Sequence, residues 1–156
     1  MKIMKYAALS LIAVTSLFAE QNATIDNNST QPPIIQFIDS NLLDQSGEYT
    51  KRNKDYIALY FHADWCPASR QMTSNVVDFN KLFGDNVCIV SVNIGNNDRW
   101  VFGRHRIPWK MVTPPSEKDL ADYFGVTHIP KFILLNKHGE SITGEKFKRE
   151  IAYNEQ

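Results

Sequence analysis

Three short apolar runs set the architecture of this chain. Residues 56–61 read YIALYF, residues 87–92 read VCIVSV and residues 132–136 read FILLN. Each has the length of a strand and is rich in branched and aromatic side chains. They do not alternate with polar residues in the way a half-exposed strand does, so they read as strands covered on both faces. Such a sheet needs helices, and one lies between the first two runs. In PASRQMTSNVVDFNKLFG, residues 67–84, Met72, Val76, Phe79 and Phe83 recur at helical spacing, and Gly84 follows as a stop. Strand, helix and strand of this length make a βαβ unit, so the first two strands are expected to run parallel.

The other elements are read from their ends. SEKDLADYFG, residues 116–125, opens on Ser116 with Asp119 three residues later, a capping-box start, and Gly125 is the matching stop. Leu120, Tyr123 and Phe124 form its apolar stripe. NKHGE, residues 136–140, is turn chemistry, which predicts a hairpin joining 132–136 to 141–143. FIDSNLLDQSGEYT, residues 37–50, reads as a second hairpin around Gly47. The expected fold is an α/β sandwich with a mixed sheet of four to five strands flanked by helices.

The chain is divided as follows. Residues 1–19 begin with the basic MKIMK and continue with the uncharged YAALSLIAVTSLF, and Ala19 offers a small residue at a cleavage point. This is the pattern of a secretory signal peptide. Thirteen apolar residues fall short of the roughly 20 that span a bilayer, which weighs against the alternative, an uncleaved membrane anchor. Residues 20–33, EQNATIDNNSTQPP, are a polar linker. The tripeptides NAT and NST inside it fit an acceptor for N-glycosylation, or simply an Asn-rich composition. Residues 34–156 form the folded domain. Basic and acidic residues balance at 17 each, so no field of one sign favours nucleic acid or an anionic membrane.

The chemistry centres on HADWCPASRQM, residues 62–72. Cys66 falls where the first strand ends and the helix begins, with Pro67 at the first helical position, where proline is favoured. The free N–H groups and positive dipole end of the helix then face the sulfur and favour the thiolate. Ser69 stands one turn along, at the place where an exchange site would carry a second cysteine. Its hydroxyl can support the thiolate, but it cannot attack a disulfide. Cys66 and Ser69 are therefore the candidate catalytic pair. A Cys66–Cys88 disulfide is the alternative that an exported chain with two cysteines invites. Against it, Cys88 sits mid-strand between Val87 and Ile89 and fits better as a small buried hydrophobe. His62 leaves the end of a buried strand. Its spacing alone establishes neither a His–Cys dyad nor a metal site with His128, and no metal is expected. RHR, residues 104–106, fits the cationic last turn of a short helix better than an anion site.

These residues resemble the thioredoxin superfamily, and within it the tryparedoxin and nucleoredoxin branch. The resemblance rests on YFHADWCPAS, RIPWKMV and LADYFGVTHIPKFILLNKHGE, in that order, and covers most of residues 38–143. It implies that Cys66 is the nucleophile, that Pro130 is a cis-proline facing it, and that Ile129 offers backbone groups to an extended substrate. Trp65 and Pro67 join these as substrate contacts, and Pro108 with Trp109 matches the structural pair of the family. The chain departs from that pattern at Ser69, Ala68, His62 and Lys131. Tyr60 stands where ordinary thioredoxins bury an acid that deprotonates the resolving thiol.

The expected function is that of an exported, periplasmic or secreted monothiol protein. It would exchange protein thiols and disulfides, as an isomerase or in deglutathionylation, with glutathione as co-substrate and no bound cofactor. Isomerisation suits one sulfur, because the substrate's own thiol can release the enzyme. The alternative is a binding module that captures thiols or extended peptides without turnover. An iron–sulfur role, as in monothiol glutaredoxins, agrees only in its Cys-x-x-Ser spacing.

Overall fold

The computed structural model describes residues 31–95, 108–112 and 114–154. The proposed signal peptide, nearly all of the linker and the RHR segment lie outside these residues. Residues 33–40 open the described fold as helix α1 (Pro33–Ser40), followed by strands β1 (Leu42–Leu43) and β2 (Tyr56–His62). Helix α2 (Pro67–Phe83) leads to β3 (Val87–Asn93) and β4 (Lys110–Val112). Then come α3 (Pro114–Tyr123), β5 (Lys131–Leu135), β6 (Ser141–Ile142) and α4 (Gly144–Asn154).

The six strands form one mixed sheet in the order β1-β4-β3-β2-β5-β6. β2 and β3 are parallel over their whole length, from Tyr56 opposite Val87 to His62 opposite Asn93, as the βαβ reading requires. β5 runs antiparallel to β2 and pairs with β6 in the expected hairpin. Among the described residues the sheet has six strands rather than four to five because the two-residue β1 and the three-residue β4 extend it beyond β3. Such short pieces carry too little periodicity to be read from sequence.

Side-chain alternation divides the core into two layers. Ile57, Leu59 and Phe61 of β2 pack with Ile34, Ile35 and Ile38 of α1 and Leu120 of α3. Ala58 and Tyr60 point the other way, toward Val76 of α2 and Phe147 of α4. Of the helical stripe on α2, Val76 is buried, while Met72, Phe79 and Phe83 pack at its margin. The α/β sandwich is therefore as expected, with helices on both faces of the sheet.

Three local readings need correction. Residues 37–40 are helical rather than the first arm of a hairpin. Ile34, Ile35 and Ile38 make one apolar stripe behind Pro33 at the first helical turn. What remains of the hairpin is a single antiparallel bridge, Leu43 to Tyr49. Between them Gly47 takes a φ of 83°, and Asp44 Oδ1 accepts the N–H groups of Ser46 and Glu48. Next, α3 starts at Pro114, so Ser116 lies inside the first turn rather than capping it. Proline is already set for a first helical turn, and the two prolines win that position. The C-terminal stop holds: Gly125 has a φ of 60° and Val126 N–H reaches back to Ala121 O at 2.8 Å. Finally, Tyr123 is 49% exposed, so the buried stripe of α3 is Leu120 and Ala121 with Phe124 at its edge.

Candidate active site

Cys66 is the residue before the first turn of α2, with an extended backbone, and Pro67 takes the first helical position. Its N–H closes a turn on Ala63 O at 3.1 Å, and its carbonyl receives Arg70 N–H at 3.1 Å, the first bond of the helix. Pro67 has no N–H, so the nearest free donors to the sulfur belong to Ser69 and Ala68. No short cap bond to the sulfur is formed. The Ser69 hydroxyl, followed by the Ser69 and Ala68 N–H groups and the Arg70 charge, holds the Cys66 pKa below the usual thiol range. Burial opposes this weakly, since the thiol is partly open to solvent.

Ser69 itself is 2% exposed. Its Oγ accepts Ala63 N–H at 3.3 Å, and its carbonyl accepts the Tyr60 O–H at 2.6 Å and the Thr73 hydroxyl at 3.0 Å. Tyr60 thus ties the first turn of α2 to the sheet. Burial holds its own hydroxyl above the usual phenol range, so it stays protonated and acts as a donor.

The other site residues predicted from sequence gather at the same end of the sheet. Ile129–Pro130 is a cis peptide, and Lys131, which follows it, pairs with Phe61 near the end of β2. Ile129 and Pro130 are half-buried. Trp65 is 69% exposed. Its indole lies over Gly95, where a Cβ would come within 3.2 Å of Nε1 and 3.3 Å of Cδ1, so a side chain at 95 would crowd it. Pro67 is exposed on the helix start. His62 and His128 do not meet: His62 is buried and 3.2 Å from Ser91 Oγ, while His128 is exposed beside Thr127. Among the described residues no three His, Cys, Asp or Glu side chains gather as a metal site. No helix among them is long and apolar enough to cross a membrane.

Both cysteines are free. Cys88 pairs with Ile57, five residues down the strand from the level of His62, or about 17 Å at ~3.3 Å per residue. It is 6% exposed, and burial pushes its pKa up to about 11. Alkylation of the native protein at about pH 6 should therefore label Cys66 first and leave Cys88 intact. Peptide mapping would check this. Equal labelling of the two would remove the distinction between them.

Sequence reasoning missed the hydrogen bonds behind the site, which join Tyr60 to Ser69 and Trp109 Nε1 to Ser91 Oγ at 2.9 Å. The one available signal was Ser91, a lone hydroxyl in the otherwise apolar VCIVSV run.

Known proteins share this fold. A family profile described as thioredoxin-like matches residues 53–141, more than half of the chain. Nucleoredoxin of Xenopus laevis is 31% identical over 107 residues, which are 64% of this chain and 26% of the relative. The chain thus spans about a quarter of that protein. Thioredoxin from Wuchereria bancrofti superposes with a TM-score of 0.61 at 24% identity, covering 75% of this chain and 97% of its own. Tryparedoxin II, solved in complex with glutathionylspermidine, superposes at 0.60 and 21% identity, covering 77% and 92%. With the profile spanning β2 to β6 and the same fold in both solved structures, the chain belongs to the thioredoxin-like family.

Proposed function

We propose that this chain is an exported monothiol exchange protein, acting through Cys66 on protein disulfides or glutathione adducts. The observation that carries the reading is the placement of Cys66: partly exposed before the first turn of α2, with the Ser69 and Ala68 donors holding its thiol toward the thiolate. The Cys66 thiolate attacks one sulfur of a disulfide, forming a mixed disulfide and expelling the other sulfur as a thiolate. A second thiolate, from the substrate or from glutathione, then attacks the substrate sulfur, and Cys66 leaves as a thiolate. With the substrate's own thiol the cycle is an isomerisation without net electron transfer. With glutathione adducts the cycle frees the protein thiol and yields glutathione disulfide. Ser69 supports Cys66 as nucleophile and again as leaving group. Trp65, Pro67, Ile129 and Pro130 would contact the substrate chain, and no bound cofactor is needed.

The absence of a nearby second sulfur favours one other reading, capture without turnover. Turnover of a glutathionylated peptide in excess glutathione separates the two. The test of the whole proposal is to recover mixed disulfides of the native protein from its own compartment and identify the partners. The recovered chain should begin near Glu20 and should carry its partners on Cys66. A Cys66→Ser control that captures the same partners would remove the nucleophile, and a cytosolic chain beginning at Met1 would remove the export.

A further inference from the structure

One buried side chain behind the site has no part in the reaction above. His62 ends β2, is 3% exposed, and stacks on Tyr60 with ring centroids 4.6 Å apart and planes at 17°. Its Nε2 lies 3.2 Å from Ser91 Oγ, an oxygen that also receives the Trp109 indole N–H. An indole only donates, which leaves the Ser91 proton free to point at Nε2 of a neutral ring. The imidazole also forms part of the wall of a pocket of about 280 Å³ that it shares with Ser69. Contacts therefore run without a break from the imidazole, through the Tyr60 ring and hydroxyl, to the Ser69 turn that supports Cys66.

We propose that His62 is a positioning residue for the Cys66 thiolate, acting through Tyr60 and Ser69, and that it holds the site only while its ring is neutral. The inference rests on Cys66 being the reactive thiol. A charged ring would lose the acceptor that meets the Ser91 hydroxyl, and at 3% exposure it would find little water to solvate it. Burial holds the His62 pKa down to about 4. Asp64 and Arg70 face the same pocket and oppose each other in sign. Tyr60 lies beneath the ring, Cys66 beyond the loop, and Lys131 opposite Phe61 on the neighbouring strand. The groups facing it from β3, Ser91 and Asn93, are neutral. The folded pKa is below that of an unfolded histidine, so the neutral ring is favoured in the fold. That support is complete above the unfolded pKa and is lost as pH falls through about 4. Charging the ring would drive it from its slot, and Tyr60 and the Ser69 turn would loosen with it.

The test follows the reaction of both cysteines with dipyridyl disulfide, a thiol reagent that stays active in acid. The full chain would be followed from about pH 7 to about pH 3. A single titrating thiol loses about ten-fold in rate per pH unit below its pKa. Wild type should fall by a further ten-fold or so by about pH 3. His62→Phe, a ring that cannot titrate, should return the profile to the one-proton line, whatever its rate at neutral pH. Comparing the two chains cancels the titration of the reagent itself. Cys88 is the internal control: it should stay unreacted while Cys66 slows. Parallel profiles for wild type and His62→Phe would overturn the inference, and so would reaction of Cys88 over the same pH range, which would mean global unfolding. If His62→Phe does not fold, His62→Asn carries the same test, since an amide does not titrate there. A Cys66 that is inert at neutral pH would overturn the exchange reading and this inference with it. A reactive Cys66 with a one-proton profile overturns this inference alone.

Discussion

Ser69→Cys should close a 66–69 disulfide on oxidation and give the protein an insulin-reducing activity that the wild type lacks. Residue 69 lies one helical turn from Cys66, on the same face of α2, within reach of disulfide geometry. It is 2% exposed, so a resolving thiol there would be held within the fold beside the mixed disulfide. The exchange of oxygen for sulfur changes little in volume. An attacking group held in place acts at an effective molarity far above that of a dissolved thiol, so the gain in reduction rate should be on the order of 100-fold or more. Tyr60 should keep the variant slower than an ordinary thioredoxin, because a phenol held above its usual pKa does not deprotonate the new thiol. Insulin turbidity with a dithiol reductant, and the mass of the oxidised protein, measure the two effects. If no 66–69 disulfide forms, the site is not an exchange site with one sulfur exchanged for oxygen, and the capture reading takes its place.

Phe147→Ala should cost about 3–5 kcal/mol of folding stability. Phe147 is 1% exposed, and its ring meets those of Tyr56 at 5.0 Å, Phe83 at 5.3 Å and Phe79 at 6.3 Å. Removing it opens a cavity among three aromatic neighbours that are each held by other contacts and cannot close it. Against a total stability of roughly 5–15 kcal/mol, the loss leaves the domain marginal. Thermal unfolding followed by circular dichroism should show a midpoint lower by about 10–20 °C. A shift of only a degree or two would mean that α4 is not part of the core.

Helix α4 is also where sequence reasoning fell short. Its stretch GEKFKREIAYN offers Phe147 and Ile151 at helical spacing among charged residues. Two apolar positions do not make a stripe that stands out. By contrast, β2, α2, β3 and β5 were legible because each carries a long apolar run or four apolar residues in register. The same contrast holds at the site. Cys66, Pro67 and Ser69 follow from helix-start chemistry. The slot that holds His62 does not, because Ser91 reaches it only through the pairing of β2 with β3, which brings residues 29 positions apart together.

The two-residue strands at the margins of the sheet, β1 and β6, have a consequence for crowding. An open sheet edge is a template on which another chain can dock by backbone pairing, and long flat edges seed fibrils. Here the long strands β2 and β3 lie in the interior, and each border stops after two residues. The Cys66 turn is thus carried by a sheet whose bordering strands, among the described residues, each offer another chain only two residues to extend.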